Sequence, residues 1–359
     1  MKRTTVLPLL LLLGCNDATG YVHDRVACGS LGGGSGGEDS DGSSDESGLA
    51  SDTDPSGSTT DDEIDPTEGS STGEPPGSAI PTPTAPCPTI TDGVVTFCPG
   101  PLDTCREALV LNASNATGSG PLSLHWHGTF ESPDGILAGD YAAQQIQTMI
   151  QNEGGLMVLP YGDPGAVARP NIPFPWWVVC GALGTECDRL DDFIFADEIV
   201  ACAVEQDLVD PQRLTTSGMS AGGIMTSHLV DRTSYFAGAV SWSGGTPAWA
   251  QPATPTNETA VMVLHGGPTD LYCGEGTESC YDFVQPSESL AAEVAAAGNF
   301  SFLCDHQSGH NTGMGNFGAT FIAQSHADGH PWENYSFGNG GNWMLDNYCY
   351  LPGEPSPWQ

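Results

Sequence analysis

A serine stands between two glycines in the run Gly218-Met219-Ser220-Ala221-Gly222. The apolar residues that begin at Leu214 predict a strand before it, and the segment 224–230 predicts a helix after it. A serine hydroxyl becomes an effective nucleophile when a sharp turn presents it to a base. The glycines leave room for such a strand–turn–helix elbow. We therefore predict that Ser220 is a nucleophile; the alternative is an ordinary Gly/Ser loop.

An acid and a base follow Ser220 in the chain order Ser, acid, His that accompanies this elbow. Asp270 comes just after the apolar run Val261–Leu264, where an acid at a strand end could orient a histidine. His310 lies on a glycine-flanked loop after the run Phe300–Leu303. A neutral imidazole there could accept the Ser220 proton and return it to the leaving group.

Other residues could fill these two roles. His306 is the nearest alternative to His310 as the base. Asp282 is the alternative acid, but it lies well beyond the end of its strand, and Asp305 lies close to His310 on the same loop. We expect Asp270 and His310 to be the pair that serves Ser220.

A negative charge that develops on a substrate oxygen needs two backbone N–H donors. The residue after the nucleophile, Ala221, normally supplies one of them. The second donor is expected from the loop after the third strand, here the run Leu122–Trp126 followed by Gly128 and Thr129. We predict an oxyanion hole formed by the N–H groups of Ala221 and Thr129.

The same loop permits a metal hypothesis. His125 and His127 form an H-x-H pair, which on a strand would place both rings on one face and resembles a copper-binding element of multicopper oxidases. Those enzymes need further H-x-H and His-Cys-His elements, and the sequence contains none. The sequence therefore favours no metal.

Together these motifs resemble the polyhydroxybutyrate depolymerase and feruloyl/acetylxylan esterase group of α/β-hydrolases. The resemblance implies the α/β-hydrolase fold, with a mostly parallel central sheet and helices on both faces, and a serine carboxylic-ester hydrolase that needs no cofactor. It implies a catalytic triad of Ser220, Asp270 and His310. The group usually places the acid four residues after the strand-end histidine, whereas Asp270 comes five after His265. The segments that carry the resemblance are His127-Gly128, Asp191-Asp192, Val209–Arg213, Gly218–Gly223, His265-Gly266 and Gly309-His310.

The N-terminus resembles the signal peptide of an exported bacterial lipoprotein. Two basic residues precede a short apolar run that ends in Leu12-Leu13-Gly14-Cys15. Residues 1–15 are therefore predicted to be a signal peptide with a lipobox; the alternative is an ordinary signal peptide with a chance cysteine. A diacylglycerol group on Cys15 would anchor the protein to a membrane of the cell envelope or to the cell surface.

Composition divides the rest of the chain into two parts. Residues 16–85 are rich in Gly, Ser, Asp and Pro and have almost no large apolar side chain, which predicts a disordered acidic tether. Residues 86–359 are long enough for one catalytic domain with a single core.

Twelve cysteines favour an oxidising compartment. Cys180 with Cys187, and Cys273 with Cys280, each bracket a short loop and are candidate disulfides. The other pairings cannot be read from the sequence. A bond between Cys202 and Cys304 is one hypothesis.

The formal net charge is −37, and Lys2 is the only lysine. Such a chain repels nucleic acids and other polyanions, which favours a neutral ester substrate, either small or polymeric. A saline habitat is one hypothesis for this acidity. The aromatic segment Pro173–Trp177 could line a substrate groove or pack in the core, and the same choice applies to Trp332, Tyr335, Trp343 and Tyr348. A serine peptidase and a non-catalytic surface-binding protein remain the alternative functions.

Overall fold

A computed structural model describes residues 80–168, 174–177, 189–247, 259–273, 280–325 and 348–358. Of the predicted features, the signal peptide with Cys15, residues 16–79 of the tether, Pro173, the Cys180–Cys187 pair, and Trp332, Tyr335 and Trp343 lie outside these ranges.

The described part is organised around a nine-stranded sheet in the order β1-β2-β4-β3-β5-β6-β7-β10-β11. The six strands from β4 to β10 in that order run parallel, and the strands on either side pair antiparallel. A separate hairpin pairs β8 with β9. The strands are β1 Gly93–Phe97, β2 Arg106–Leu111, β3 Leu122–Trp126, β4 Leu156–Pro160, β5 Leu214–Met219, β6 Gly238–Trp242, β7 Ala260–His265, β8 Leu271–Cys273, β9 Cys280–Asp282, β10 Phe300–Asp305 and β11 Cys349–Tyr350.

Strand β7 shows why short continuous apolar runs form the centre of this sheet. All six of its residues are buried. Ala260, Met262 and Leu264 pack into one apolar cluster, and Val261 and Val263 pack into another. Side chains alternate along a strand, so a strand that is covered on both faces buries every position and favours a continuous apolar run, here Ala260–Leu264.

Helices cover both faces of the sheet. Side chains from α4 and α5 pack in one core cluster, whereas α2 and α7 pack in the cluster on the opposite face. The mostly parallel sheet with helices on both faces confirms the predicted architecture. The α-helices are α1 Pro133–Gly139, α2 Tyr141–Asn152, α3 Pro164–Val167, α4 Asp191–Glu205, α5 Ala221–Arg232, α6 Val284–Ala296 and α7 Gly315–Ser325.

Four disulfides join described residues, and they correct one hypothesis. Cys202 and Cys304 each have a different partner from the one suggested, so the Cys202–Cys304 pairing is wrong. Cys202 lies on α4 and Cys304 on β10, and each bonds a cysteine on a nearby segment that is remote in sequence. The bonds are Cys87–Cys202, Cys98–Cys105, Cys273–Cys280 and Cys304–Cys349.

The described end of the predicted tether, residues 80–85, contacts the domain. The Thr84 backbone N–H and hydroxyl donate to Glu198 Oε2 at 2.8 and 2.6 Å, and the Ala85 N–H donates to Oε1. Within the described ranges, no helix has the length and apolar character needed to cross a membrane.

Candidate active site

Ser220 occupies a strained turn between β5 and α5. Its φ of 58° and ψ of −122° lie in a backbone region that residues other than glycine rarely adopt. The Ser220 N–H donates to the Trp242 carbonyl at 2.9 Å, and its carbonyl accepts from the Ile224 N–H at the start of the helix. These backbone bonds hold the turn and leave the hydroxyl available to other side chains.

The glycines on either side of Ser220 are required by close backbone contacts. A Cβ on Gly222 would overlap the Trp126 carbonyl at the end of β3, and a Cβ on Gly218 would overlap the Gly222 carbonyl. Strand β3, the turn and the start of α5 therefore meet without intervening side chains. This is the steric reason for the G-x-S-x-G spacing.

His310 and Asp270 form a hydrogen-bonded chain with Ser220. The His310 Nε2 atom lies 3.0 Å from the Ser220 hydroxyl oxygen, and its Nδ1 atom lies 2.7 Å from Asp270 Oδ1. If Nδ1 carries the proton that Asp270 accepts, Nε2 is unprotonated and accepts from the serine hydroxyl. The structure thus brings together the three residues that the sequence singled out.

The Asp270 carboxylate is fully buried and has donors on both oxygens. Its Oδ2 atom accepts from the Ser243 hydroxyl and from the Gly266 N–H, each at 2.8 Å. Ser243 follows β6 with a φ of 43°. Sequence reasoning missed Ser243, because a serine after a strand carries no signal until the neighbouring strand places Asp270 beside it.

The His310 ring is also held by an aromatic neighbour. Phe283 stacks on it with the ring centres 4.5 Å apart and an interplanar angle of 24°. The Phe283 N–H donates to the Asp270 carbonyl at 3.1 Å, directly after the β8–β9 hairpin. The Cys273–Cys280 disulfide joins the two strands of that hairpin.

The alternative acids and the alternative base have other partners. Asp305 accepts from Gln307 and from the Ser356 hydroxyl, and Asp282 accepts from the Val284 N–H at the start of α6. His306 is buried, and a Cβ on Gly313 would overlap its ring. Burial lowers the pKa of His306 to about 4.

The loop expected to supply the second oxyanion donor lies against Ser220. The position of a Cβ on Gly128 would be 3.4 Å from the Ser220 Cβ and 3.3 Å from the Met219 carbonyl. Thr129 is the next residue, and Ala221 is the first residue of α5, whose leading N–H groups lack partners within the helix. The Gly128 N–H itself donates to Glu131 Oε2 at 2.7 Å.

The H-x-H histidines bond to protein groups in separate places. His125 Nδ1 lies 2.9 Å from the Ser217 hydroxyl, and His127 Nδ1 lies 2.8 Å from the Gly128 carbonyl. Burial lowers the pKa of both rings, that of His127 to about 4. Among the described residues, no three His, Cys, Asp or Glu side chains are grouped as metal ligands.

The aromatic segment packs in the core where it is described. Trp176 is fully buried, and its indole N–H donates to the His127 carbonyl at 3.1 Å. Trp177 is also buried, and its N–H donates to Asp192. The packing alternative therefore holds for these two residues, and Trp176 supports the loop beside Ser220. Tyr348 is exposed and lies against Trp358.

Comparisons with known proteins agree with this architecture. A sequence model of the prolyl oligopeptidase family matches residues 184–267, less than a quarter of the chain. No curated protein matches the chain.

Two similar solved structures are described as native pOPH and native sOPH. The first is 16% identical with a TM-score of 0.55, and the match covers 76% of this chain and 98% of that one. The second is 19% identical with a TM-score of 0.53, and covers 67% and 90%. At such low sequence identity, structural similarity is evidence for a shared fold and not for a shared activity. Together with the sheet order, it shows that the chain has the α/β-hydrolase fold.

Proposed function

We propose that this chain is an exported serine carboxylic-ester hydrolase with Ser220, His310 and Asp270 as its catalytic triad. The hydrogen-bonded chain from Ser220 through His310 to the buried Asp270 is the observation that carries the proposal. The strained turn at Ser220 supports it, because such strain is typical of functional sites.

The reaction would proceed through an acyl-enzyme. The Ser220 oxygen attacks the ester carbonyl while its proton passes to His310 Nε2. Asp270 stabilises the imidazolium that forms, and the N–H groups of Ala221 and Thr129 bind the tetrahedral oxyanion. The imidazolium gives its proton to the departing alcohol. A water molecule, deprotonated by His310, then releases the carboxylic acid.

The surroundings of the site favour an uncharged substrate. Phe130 is 83% exposed beside Thr129, and Leu271 is 40% exposed beside Asp270. Apolar side chains at the loops that carry the site suit neutral acyl or alcohol groups. The sequence resemblance directs the choice to polyesters such as polyhydroxybutyrate, or to feruloyl and acetyl esters of plant polysaccharides.

A serine peptidase of the same fold is the second candidate, and the prolyl oligopeptidase match favours it. That match includes Ser220 but ends before Asp270 and His310. Its range covers the elbow, which many members of this fold share. A non-catalytic surface-binding role would not explain the hydrogen-bonded arrangement of Ser220, His310 and Asp270.

A substrate panel on the purified chain tests these functions. The panel comprises p-nitrophenyl esters, methyl ferulate, acetylxylan, short polyhydroxybutyrate oligomers and a peptide amide, each with wild type and Ser220→Ala. We expect ester hydrolysis that Ser220→Ala abolishes while thermal unfolding is unchanged. Faster hydrolysis of the amide would favour the peptidase. Full activity in Ser220→Ala would refute the triad. Absence of turnover of every substrate in the panel would refute both the esterase and the peptidase function.

Export and lipid anchoring at Cys15 form a separate part of the proposal. The disulfides among the described residues support an oxidising compartment. Mass spectrometry of the membrane fraction should find a mature N-terminus at an acylated Cys15, followed by the acidic tether. An unmodified N-terminus at another residue would contradict the anchor.

A further inference from the structure

The Glu131 side chain closes the loop 128–131, which lies beside Ser220, with a hydrogen bond to the loop backbone. The chain turns back at Phe130, whose φ is 64°, and the Glu131 N–H approaches the Gly128 carbonyl at 3.4 Å. The Glu131 carboxylate returns to accept the Gly128 N–H at 2.7 Å. The Glu131 side chain therefore occupies the Gly128 N–H. The N–H of the next residue, Thr129, is the expected oxyanion donor.

This contact places a carboxylate next to the nucleophile. Glu131 Oε2 and the Ser220 Cβ lie 2.8 and 3.4 Å from the position that a Cβ on Gly128 would occupy. Glu131 Oε2 and the Ser220 Cβ are therefore no more than about 6 Å apart, so the ester that Ser220 attacks binds near a negative charge. The residue is exposed as a whole, but burial around the carboxylate raises the pKa of Glu131, and the nearby His310 lowers it. The carboxylate is therefore close to the candidate base as well as to the nucleophile.

We propose that Glu131 determines specificity by charge: it disfavours esters that carry a negative group close to the scissile carbonyl and favours neutral or cationic ones. The inference rests on the proposed ester hydrolase function. Two like charges about 6 Å apart near a protein surface repel enough to change a rate roughly tenfold or more. The carboxylic acid product is itself an anion, so the same charge also favours its release.

A second carboxylate near Glu131, that of Asp140, is bound by donors of its own. Asp140 Oδ1 accepts from the Ala142 and Ala143 N–H groups at the start of α2 and from the Thr312 hydroxyl. Its charge therefore faces a helix N-terminus, which stabilises anions. Among the described residues, Glu131 accepts from one backbone donor, the Gly128 N–H, which does not belong to a helix.

A pair of esters that differ only in charge tests the proposal. The neutral ester is the methyl p-nitrophenyl diester of glutaric acid, and the anionic one is the mono-p-nitrophenyl ester. The readout is the ratio of kcat/KM for neutral over anionic ester in wild type, Glu131→Gln and Asp134→Asn. The glutamine keeps an oxygen for the Gly128 N–H and removes the charge. Asp134, which accepts from the Tyr161 hydroxyl, provides a matched charge removal on α1.

We expect the wild type to prefer the neutral ester, and Glu131→Gln to reduce that preference about tenfold. Asp134→Asn should keep the wild-type ratio within about twofold, because its carboxylate is bound elsewhere on the surface. An unchanged ratio in Glu131→Gln would overturn the proposal. If the variant does not fold, 1 M salt should narrow the wild-type ratio instead, since the Debye length is then about 3 Å. A ratio that salt leaves unchanged would also overturn it.

The same measurements distinguish a failure of the proposed ester hydrolase function from a failure of the proposed role of Glu131. If wild type hydrolyses neither ester, the ester hydrolase function itself is wrong. If it hydrolyses both, and Glu131→Gln leaves their ratio unchanged, only the role of Glu131 is wrong.

Discussion

At the level of single residues, the buried acid is the most constrained part of the candidate site. Asp270 accepts three hydrogen bonds, from His310, Ser243 and the Gly266 backbone. A carboxylate with no exposure to water needs such partners, since each unpaired buried lone pair would cost free energy. The network fixes which carboxylate oxygen faces His310.

Asp270→Asn tests whether this carboxylate serves the reaction. Asparagine can preserve the geometry while favouring the wrong imidazole tautomer, which in serine proteases lowers kcat on the order of 10⁴-fold. We expect a loss of at least about 10²-fold here, measured on a p-nitrophenyl ester. The controls Asp282→Asn and Asp305→Asn should remain near wild type at matched stability. If either control lost its activity while Asp270→Asn kept it, the residue replaced in that control would be the catalytic acid.

Ser243→Ala tests a positioning role rather than a catalytic one. The variant removes one donor to Asp270 Oδ2 and leaves the Gly266 N–H in place. We expect kcat to fall about tenfold with little change in KM, because the acid is less well oriented when the transition state forms. Ser301→Ala, which removes a buried hydroxyl bonded to the Ala291 carbonyl, is the control and should affect stability alone. An unchanged kcat in Ser243→Ala would contradict the positioning role.

At the level of elements, the β8–β9 hairpin connects the acid to the ring that stacks on the base. The hairpin begins directly after Asp270 and ends directly before Phe283. Because Phe283 lies against the His310 ring, the position of the hairpin affects two members of the candidate triad.

Two disulfides of equal span separate the effect of the hairpin on stability from its effect on activity. Cys273–Cys280 and Cys98–Cys105 both join residues seven apart, but the second lies at the β1–β2 edge of the sheet. Replacing either pair by serines should cost a similar free energy of unfolding, on the order of 2 kcal/mol. We expect kcat to fall only when Cys273 and Cys280 are replaced. Equal kinetics in the two double variants would show that the hairpin does not position the site.

Buried titratable groups determine how the whole molecule responds to pH. Burial lowers the pKa values of His127, His228 and His306 to about 4. In the unfolded chain a histidine titrates near 6.5, so the unfolded state binds more protons between these values. The stability that these neutral rings contribute is therefore present above pH 6.5 and is lost as the pH falls towards 4.

Asp231 gives the opposite dependence. Burial, and then the nearby Glu293, raise its pKa to about 8, while Arg232 lowers it. The folded state thus holds a proton that the unfolded state releases, and stability falls as the pH rises from about 4 to about 8. Asp231→Asn removes this titration and should be more stable than wild type at pH 8 by about 2 kcal/mol, roughly 5 °C in Tm.

Thermal melts of wild type and Asp231→Asn between pH 4 and 9 measure this effect. The difference in Tm should grow with pH and level off above pH 8. A difference that does not vary with pH would show that Asp231 is ionised in the folded protein.

Several elements had no clear signal in the sequence, and α7 shows why. Its segment contains Gly315 and Gly318, which weaken a helix. Gly318 nevertheless belongs there, because a Cβ at this position would overlap the Trp242 ring. The helix depends on packing against β6, which is remote in the chain. Strands β8 and β9 have three residues each, too few for a periodic pattern, and only the Cys273–Cys280 pair predicted from the sequence indicated that these segments meet.

The sequence by itself determined the features that neighbouring residues encode. The buried strands follow from continuous apolar runs, and the turn at Ser220 follows from two glycines at fixed spacing. The order of strands then brings Asp270 and His310 to the same edge of the sheet, which the chain order predicted; their catalytic roles stay predictions.

Only the tertiary structure decided which groups meet across long separations. It paired Cys87 with Cys202 and Cys304 with Cys349, bonded Ser243 to Asp270, and set Asp305 among groups at the C-terminal end of the chain. The physical reason is that a cysteine, serine or carboxyl carries the same local signal wherever it occurs. Its partner is selected by distance and burial, which exist only after the strands have assembled.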